Sequence, residues 1–291
     1  MYLSSNQYAN SVYFASRKII ALKNIAYAIL IVLILSTGGC KKMPNDGYPV
    51  FMRVDTVDLV TTHNEGWNTH GITDVWVEAN VDNLGVYEYP VEFPVLQEGQ
   101  IRFLFQAGVK ANGFTNARVV YPFYAADTLT VNANRLDKIT YKPTFRYRSG
   151  VNFVFNEDFE FGNQFSIFMD KVNDGDVAYG NSSGKIHVGV SQTSKEAQMA
   201  TGVTMQGGGE VWAEFDYKSD ASFEVGVYAG TDRYSKIVLF PKQTWSKLYL
   251  NLSQEVGYNS GRQFNLFFNL VKPDGTTTST VWIDNVKILK F

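Results

Sequence analysis

The runs VWAEFDY (211–217), FEVGVYAG (223–230), KIVLF (236–240), SKLYLNLS (246–253) and FNLFFNLV (264–271) decide the fold. In the first two, apolar residues recur at every second position: Val211, Ala213 and Phe215, then Phe223, Val225 and Val227. A period of two sends alternate side chains to opposite faces, so each run reads as a strand with one face in a core. The runs follow one another closely, separated by Gly, Asn, Asp and Ser, as in a sandwich or jelly roll. Upstream the alternation continues, with Val75, Val77 and Ala79 against Trp76 and Glu78, and Ile101, Phe103 and Phe105 against Arg102, Leu104 and Gln106. Asp82-Asn83-Leu84-Gly85 reads as the turn between strands at 74–81 and 86–89. Aromatics at 15% agree with β structure, and the one stretch of helix-like composition, 194–200, is too short to matter. The expected class is all-β.

The segment YKPTFRYRSG (141–150) interrupts this pattern and predicts two units, 50–148 and 150–291. In the first, VWVEANVDNLGVYEYPVEFPVLQEGQIRFLFQAG resembles small sandwich modules of the PEGA and immunoglobulin-like type, with a hairpin, a Gly before the second strand, a Pro and an EGQ turn feeding a long strand. In the second, the opening EDFE (157–160), TWSKLYLNLS (244–253) and the closing WIDNVKI (282–288) resemble the galactose-binding-like jelly rolls of carbohydrate-binding modules and bacterial surface proteins. That resemblance implies a larger β-sandwich; sugar binding belongs to some members of such a fold and not to others.

The start of the chain reads as an export signal. Arg17, Lys18 and Lys23 precede an apolar run at 25–35, IAYAILIVLIL, which is short for a ~30 Å hydrocarbon core. Ser36, Thr37, Gly38 and Gly39 then lead to Cys40, the chain's one cysteine. This resembles the lipobox of bacterial lipoproteins, except that Thr37 stands where Leu is usual. The resemblance implies a signal peptide over 1–39, an acylated Cys40 and a polar tether over 40–49, CKKMPNDGYP. A lone cysteine leaves no internal disulfide, so an exported fold rests on its core. Lys41 and Lys42, with no Asp directly after the cysteine, imply delivery to the outer membrane, its face undecided. Without Arg17, Lys18 and Lys23, the 26 basic side chains fall to 23 against 28 acidic, a net of about −5. Nucleic acid is therefore excluded as an expected partner, since phosphate binding needs clustered Lys and Arg.

Candidate sites divide into two groups. The jelly-roll resemblance implies a structural Ca²⁺ between the first and last strands, held by Glu157, Asp158 or Glu160 together with Asp284. The residues add that Val281 and Ile283 set one inward phase and Val286 and Ile288 the other. The slip at Asp284-Asn285 predicts a bulge, which re-aims side chains. For a ligand face, the residues off the core phase are Trp212, Glu214 and Asp216 in 211–217 and Tyr228 in 223–230. Aromatic rings stack on sugar C–H faces and carboxylates accept hydroxyl hydrogens. The same residues would serve as packing if the first unit covered that face. Trp245 reads as framework. Other motifs fail on their own terms. GNSSG (180–184) would make Ser182 a nucleophile only if a helix followed, but KIHVGV alternates like a strand. Asp170, Asp174 and Asp176 lack an EF-hand's spacing. His63, His70 and His187 lack metal-ligand spacing, and His63 and His70 flank a loop centred on Trp67. The expected function is a non-catalytic, membrane-anchored protein that binds a glycan or an envelope partner; the alternative is an assembly lipoprotein with protein-only contacts.

Overall fold

The structure, a computed structural model, describes residues 47–174 and 176–291, and strands supply nearly all of their regular structure. The export signal and Cys40 lie outside the described residues. Among the described residues no helix is long and apolar enough to cross a membrane.

In the N-terminal sandwich, Ile72–Ala79 and Gly99–Lys110 pair centrally in a five-stranded sheet with Asp82–Glu88, Arg118–Val120 and Asp127–Ala133. A three-stranded sheet is formed by Val91–Val95, Val50–Val54 and Lys138–Thr140. Side chains of both sheets, among them Met52, Val75, Val77, Phe93, Phe103 and Phe105, fill one apolar cluster. The hairpin turns at Asn80 and Val81, two residues before the expected place, and Asp82-Asn83-Leu84-Gly85 runs within the second strand. Asn80 accounts for the difference. It takes a left-handed φ of 55°, which Asn tolerates, and its side-chain oxygen accepts the Arg102 N–H at 3.0 Å.

The C-terminal sandwich has two sheets. One, the inner sheet, contains Asp170–Val172, Ser183–Val188, Ser279–Lys290, Val211–Ser219 and Lys242–Asn251 in that order, with Asn152–Glu157 also on the long last strand. The other, the outer sheet, runs Ser194–Gln198, Gln263–Val271, Phe223–Ala229 and Asp232–Leu239, with Val203–Thr204 beside Gln263–Val271. Phe215, Phe223, Val225, Phe268, Val281 and Ile283 fill the space between them. The bulge expected at Asp284-Asn285 is present. Glu214 faces Lys287 and Asp216 faces Asp284, so the last strand has an extra residue, and Asn285 sits at φ 48°. Val281, Ile283, Val286 and Ile288 consequently all reach the same core. The segment 194–200 is mostly strand, because Ser194–Gln198 pairs along the edge of Gln263–Val271. The α-helix lies instead at Ser253–Tyr258.

The two sandwiches share apolar contact. Trp212, Tyr249 and Leu289 of the inner sheet belong to the cluster built by the N-terminal sandwich. Across the segment joining them, Tyr147 and Phe153 meet edge to face at 4.9 Å. Tyr48–Phe291 forms one compact unit.

Candidate functional site

Alternation along the outer sheet sets Glu196, Asn265, Phe267, Asn269, Glu224, Tyr228 and Arg233 on the face turned away from the core. Cross-strand register aligns Glu196, Asn269 and Glu224 in one row and Asn265, Tyr228 and Arg233 in another. Over this face lies a groove of about 600 Å³ lined by Gln192, Ser194, Lys195, Glu196, Glu224, Arg233 and Asn269, with Phe168, 43% exposed, on its wall.

The groove's polar groups fix one another. Arg233 Nη2 donates to Glu196 Oε2 at 2.8 Å and to Glu224 Oε2 at 2.6 Å, while Nη1 donates to Glu224 Oε1 at 3.0 Å. Asn269 Nδ2 donates to Glu224 at 3.2 Å, and the Tyr228 hydroxyl donates to Glu196 Oε1 at 2.6 Å. The hydrogen bonds from Arg233 hold Glu224 down to about 2 and raise the guanidinium, so both stay charged. Burial, then the hydrogen bond to Glu196, raises the Tyr228 phenol. Beneath them the buried Phe267 ring carries the Arg233 guanidinium carbon at 4.1 Å from its centroid. Gly226 makes room for that ring. A Cβ there would stand 2.6 Å from Phe267 Cζ and closer still to the Tyr234 carbonyl.

Of the expected ligand residues, only Tyr228 lies on this face. Trp212, Glu214 and Asp216 do point off the jelly-roll core, but the N-terminal sandwich covers them, and the expectation of an open face is corrected. Trp212 is 3% exposed and meets Tyr121 edge to face at 5.4 Å. Glu214 accepts the hydroxyls of Tyr121 at 2.6 Å and Tyr147 at 2.9 Å. Asp216 accepts the Thr69 hydroxyl at 2.6 Å and Asn285 Nδ2 at 2.9 Å, with Lys247 Nζ at 3.4 Å. Lys287 Nζ donates to the Trp67 carbonyl at 3.1 Å and bonds the Tyr147 hydroxyl at 3.3 Å. Burial lowers the Lys287 ammonium to about 8 and raises the phenols of Tyr121 and Tyr147 well above their ordinary value. These groups form a buried joint.

The residues assigned to Ca²⁺ do not fit the ion as arranged. Glu157 accepts the N–H groups of Phe159 and Gln164, both at 2.6 Å. Asp158 accepts the Glu160 N–H at 3.1 Å, and Glu160 accepts those of Asn181 and Ser182 at 2.6 and 3.0 Å. Asp284 accepts the N–H groups of Ala178 and Asn285 at 3.0 and 2.7 Å. The carboxylates thus brace loops, and among the described residues no three His, Cys, Asp or Glu side chains gather as a metal requires. His63 and His70 line different clefts. Ser182 is buried and followed by the strand Ser183–Val188, which leaves no nucleophile elbow. Asp174 pairs with Lys185 and Asp176 with Lys218.

Sequence reasoning missed Glu196, Glu224, Arg233, Asn269 and Phe168. The available signal was the phase of FNLFFNLV, which sets Asn265, Phe267 and Asn269 opposite the core residues Phe264, Leu266, Phe268 and Leu270.

No protein-family model matches the sequence, and no curated protein matches it. Solved structures similar to part of the chain include carbohydrate-binding modules. A variant of a family 29 carbohydrate-binding module is 13% identical over 49% of this chain and 93% of its own, with a TM-score of 0.34. A family 61 module in complex with β-1,4-galactotriose is 13% identical over 45% of this chain and 92% of its own, also with a TM-score of 0.34. Likeness at this level does not identify a ligand for this chain.

Proposed function

We propose that this chain is a non-catalytic binding protein that takes an uncharged glycan in the outer-sheet groove and is held at the outer membrane by lipid on Cys40. The observation that carries the reading is the groove's chemistry. Carboxylates, a guanidinium and a carboxamide, which accept and donate hydrogen bonds to hydroxyls, are fixed in place beside Tyr228 and Phe168. Groups already held in one geometry lose little freedom on binding, which favours affinity. The same geometry argues against glycoside cleavage. That reaction needs two carboxyl groups free to act on the glycosidic bond, and Arg233 ties up both Glu196 and Glu224. The anchor rests on the apolar run at 25–35, the small residues after it and Cys40; delivery outward rests on Lys41 and Lys42.

The test is a glycan array followed by calorimetry with residues 41–291. An uncharged oligosaccharide is expected to bind, and Arg233→Ala or Asn269→Ala to weaken it about tenfold or more, since hydrogen bonds to charged groups are worth about 1.5–3 kcal/mol each. Absence of any uncharged ligand, or variants that bind as wild type, sinks the reading. A second reading, assembly with a protein partner, is favoured by one loop on which Phe161 and Ile167 stand 96% and 86% exposed. Phe161→Asp with Ile167→Asp would then abolish retention in the envelope complex while leaving glycan binding intact.

A further inference from the structure

Between the two sandwiches lies a crevice of about 400 Å³, separate from the groove. The N-terminal sandwich contributes His70, Gly71, Thr73, Lys110, Gly113 and Thr115, and the inner sheet contributes the rest of its wall, chiefly Tyr217, Lys242, Trp245 and Lys247. Among the described residues no Asp or Glu lines it, although the chain beyond Cys40 is acidic overall.

The nearby acids are already engaged. Asp216 holds Lys247, Thr69 and Asn285. Asp176 holds Lys218 at 2.6 Å and accepts Trp245 Nε1 at 3.2 Å. Asp74 accepts Thr73 Oγ1 at 2.8 Å and Trp76 Nε1 at 3.0 Å and pairs with Arg118 at 3.4 Å. Lys110 and Lys242 differ: among the described residues neither pairs with a carboxylate, and Lys242 is exposed. Burial lowers His70, so it adds no positive charge at neutral pH. The uncompensated charge at the crevice therefore comes from two lysines.

The aromatic part of the wall is held still. Trp245 is half-buried and its indole N–H is tied to Asp176, which fixes the ring's orientation. Thr73, Thr115 and Ser246 add hydroxyls. Clefts where two packed bodies meet are common ligand sites, and this volume falls within their usual range.

We propose that this crevice is a second binding site, for a sugar ring bearing an oxyanion, either a carboxylate or a sulfate ester. The ring stacks on Trp245, and Lys110 and Lys242 hold the anion. The site is independent of the groove, because the two share no lining residue.

The test uses residues 41–291 titrated with oligogalacturonate, a sulfated oligosaccharide, the uncharged counterpart of each, and inorganic sulfate. At least one acidic sugar is expected to bind, and its affinity to fall as salt screens the two lysines. Lys110→Gln with Lys242→Gln should lower that affinity about tenfold or more, while Lys110→Arg with Lys242→Arg should keep it. Trp245→Leu should weaken acidic sugars and leave any sulfate binding unchanged. Thermal melts of each variant separate lost binding from lost folding, and Arg233→Ala run in parallel separates failure here from failure of the groove. The inference is overturned if uncharged sugars bind equally well, if the glutamine variant binds as wild type, or if inorganic sulfate binds as tightly as the acidic sugars.

Discussion

Replacing Glu214 with Gln should cost the chain about 3 kcal/mol and make that cost depend on pH. The carboxylate is fully buried and accepts two phenolic hydroxyls, from Tyr121 at 2.6 Å and Tyr147 at 2.9 Å, with Lys247 Nζ at 3.9 Å. Gln keeps the shape but sets an NH₂ against one of the phenols and removes the anion. A hydrogen bond to a charged group contributes about 1.5–3 kcal/mol, and losing one partner of a buried ion pair typically costs about 3–5 kcal/mol. Some of this is recovered because phenols rotate, which sets the expectation near the lower bound. The pH dependence follows from Lys287, which burial lowers to about 8 and which Glu214 helps to keep charged. A lysine lowered in the folded state contributes stability that is present at high pH and lost as pH falls through its folded value. Without Glu214 the folded value drops further, so the deficit should be larger at pH 7 than at pH 9. Urea unfolding of residues 41–291, followed by tryptophan fluorescence at both pH values, measures it. A deficit under about 0.5 kcal/mol, or one unchanged between the two pH values, refutes the view of this joint as a coupled network.

Asp284 should give the opposite of ordinary carboxylate behaviour. Burial raises it to about 7, so the folded state holds a proton the unfolded state has released, and stability should fall as pH rises from about 4 through about 7; Asp284→Asn should flatten that part of a melting-temperature profile. Residues 150–291 expressed alone would expose Trp212, Tyr249 and Leu289, so they should melt below residues 41–291 and bind a hydrophobic dye; an equal melting temperature would mean the N-terminal sandwich adds nothing. Cys40→Ala should abolish incorporation of labelled palmitate and release the chain from membranes, and label retained by the variant would refute lipidation.

The period-two runs made the sheets legible, and the one-residue slip between Ile283 and Val286 made even the bulge legible, because both are local patterns. The hairpin turn was displaced because Asn80 gains its hydrogen bond from Arg102, a partner on another strand. The phase of Trp212, Glu214 and Asp216 is legible in the sequence, but their burial is not. What covers them includes Tyr121 and Tyr147, which lie 93 and 67 residues from Glu214 and show no periodic relation to it. The groove's sheet face was partly legible through Tyr228, which bonds to the lining residue Glu196. Glu196 and Arg233, 37 residues apart, are brought together by the pairing of four strands, which no short window contains.

The Phe267 ring over Gly226 divides the groove into parts with different freedom to change over evolutionary time. At Gly226 any added side chain meets both the ring and the Tyr234 backbone carbonyl, so the floor tolerates little drift without repacking. Gln192, Ser194 and Phe168 stand on the rim and face solvent, where substitutions usually alter stability by less than about 0.5 kcal/mol. Descendants of this chain can therefore change what the groove prefers by editing its rim while inheriting the floor intact.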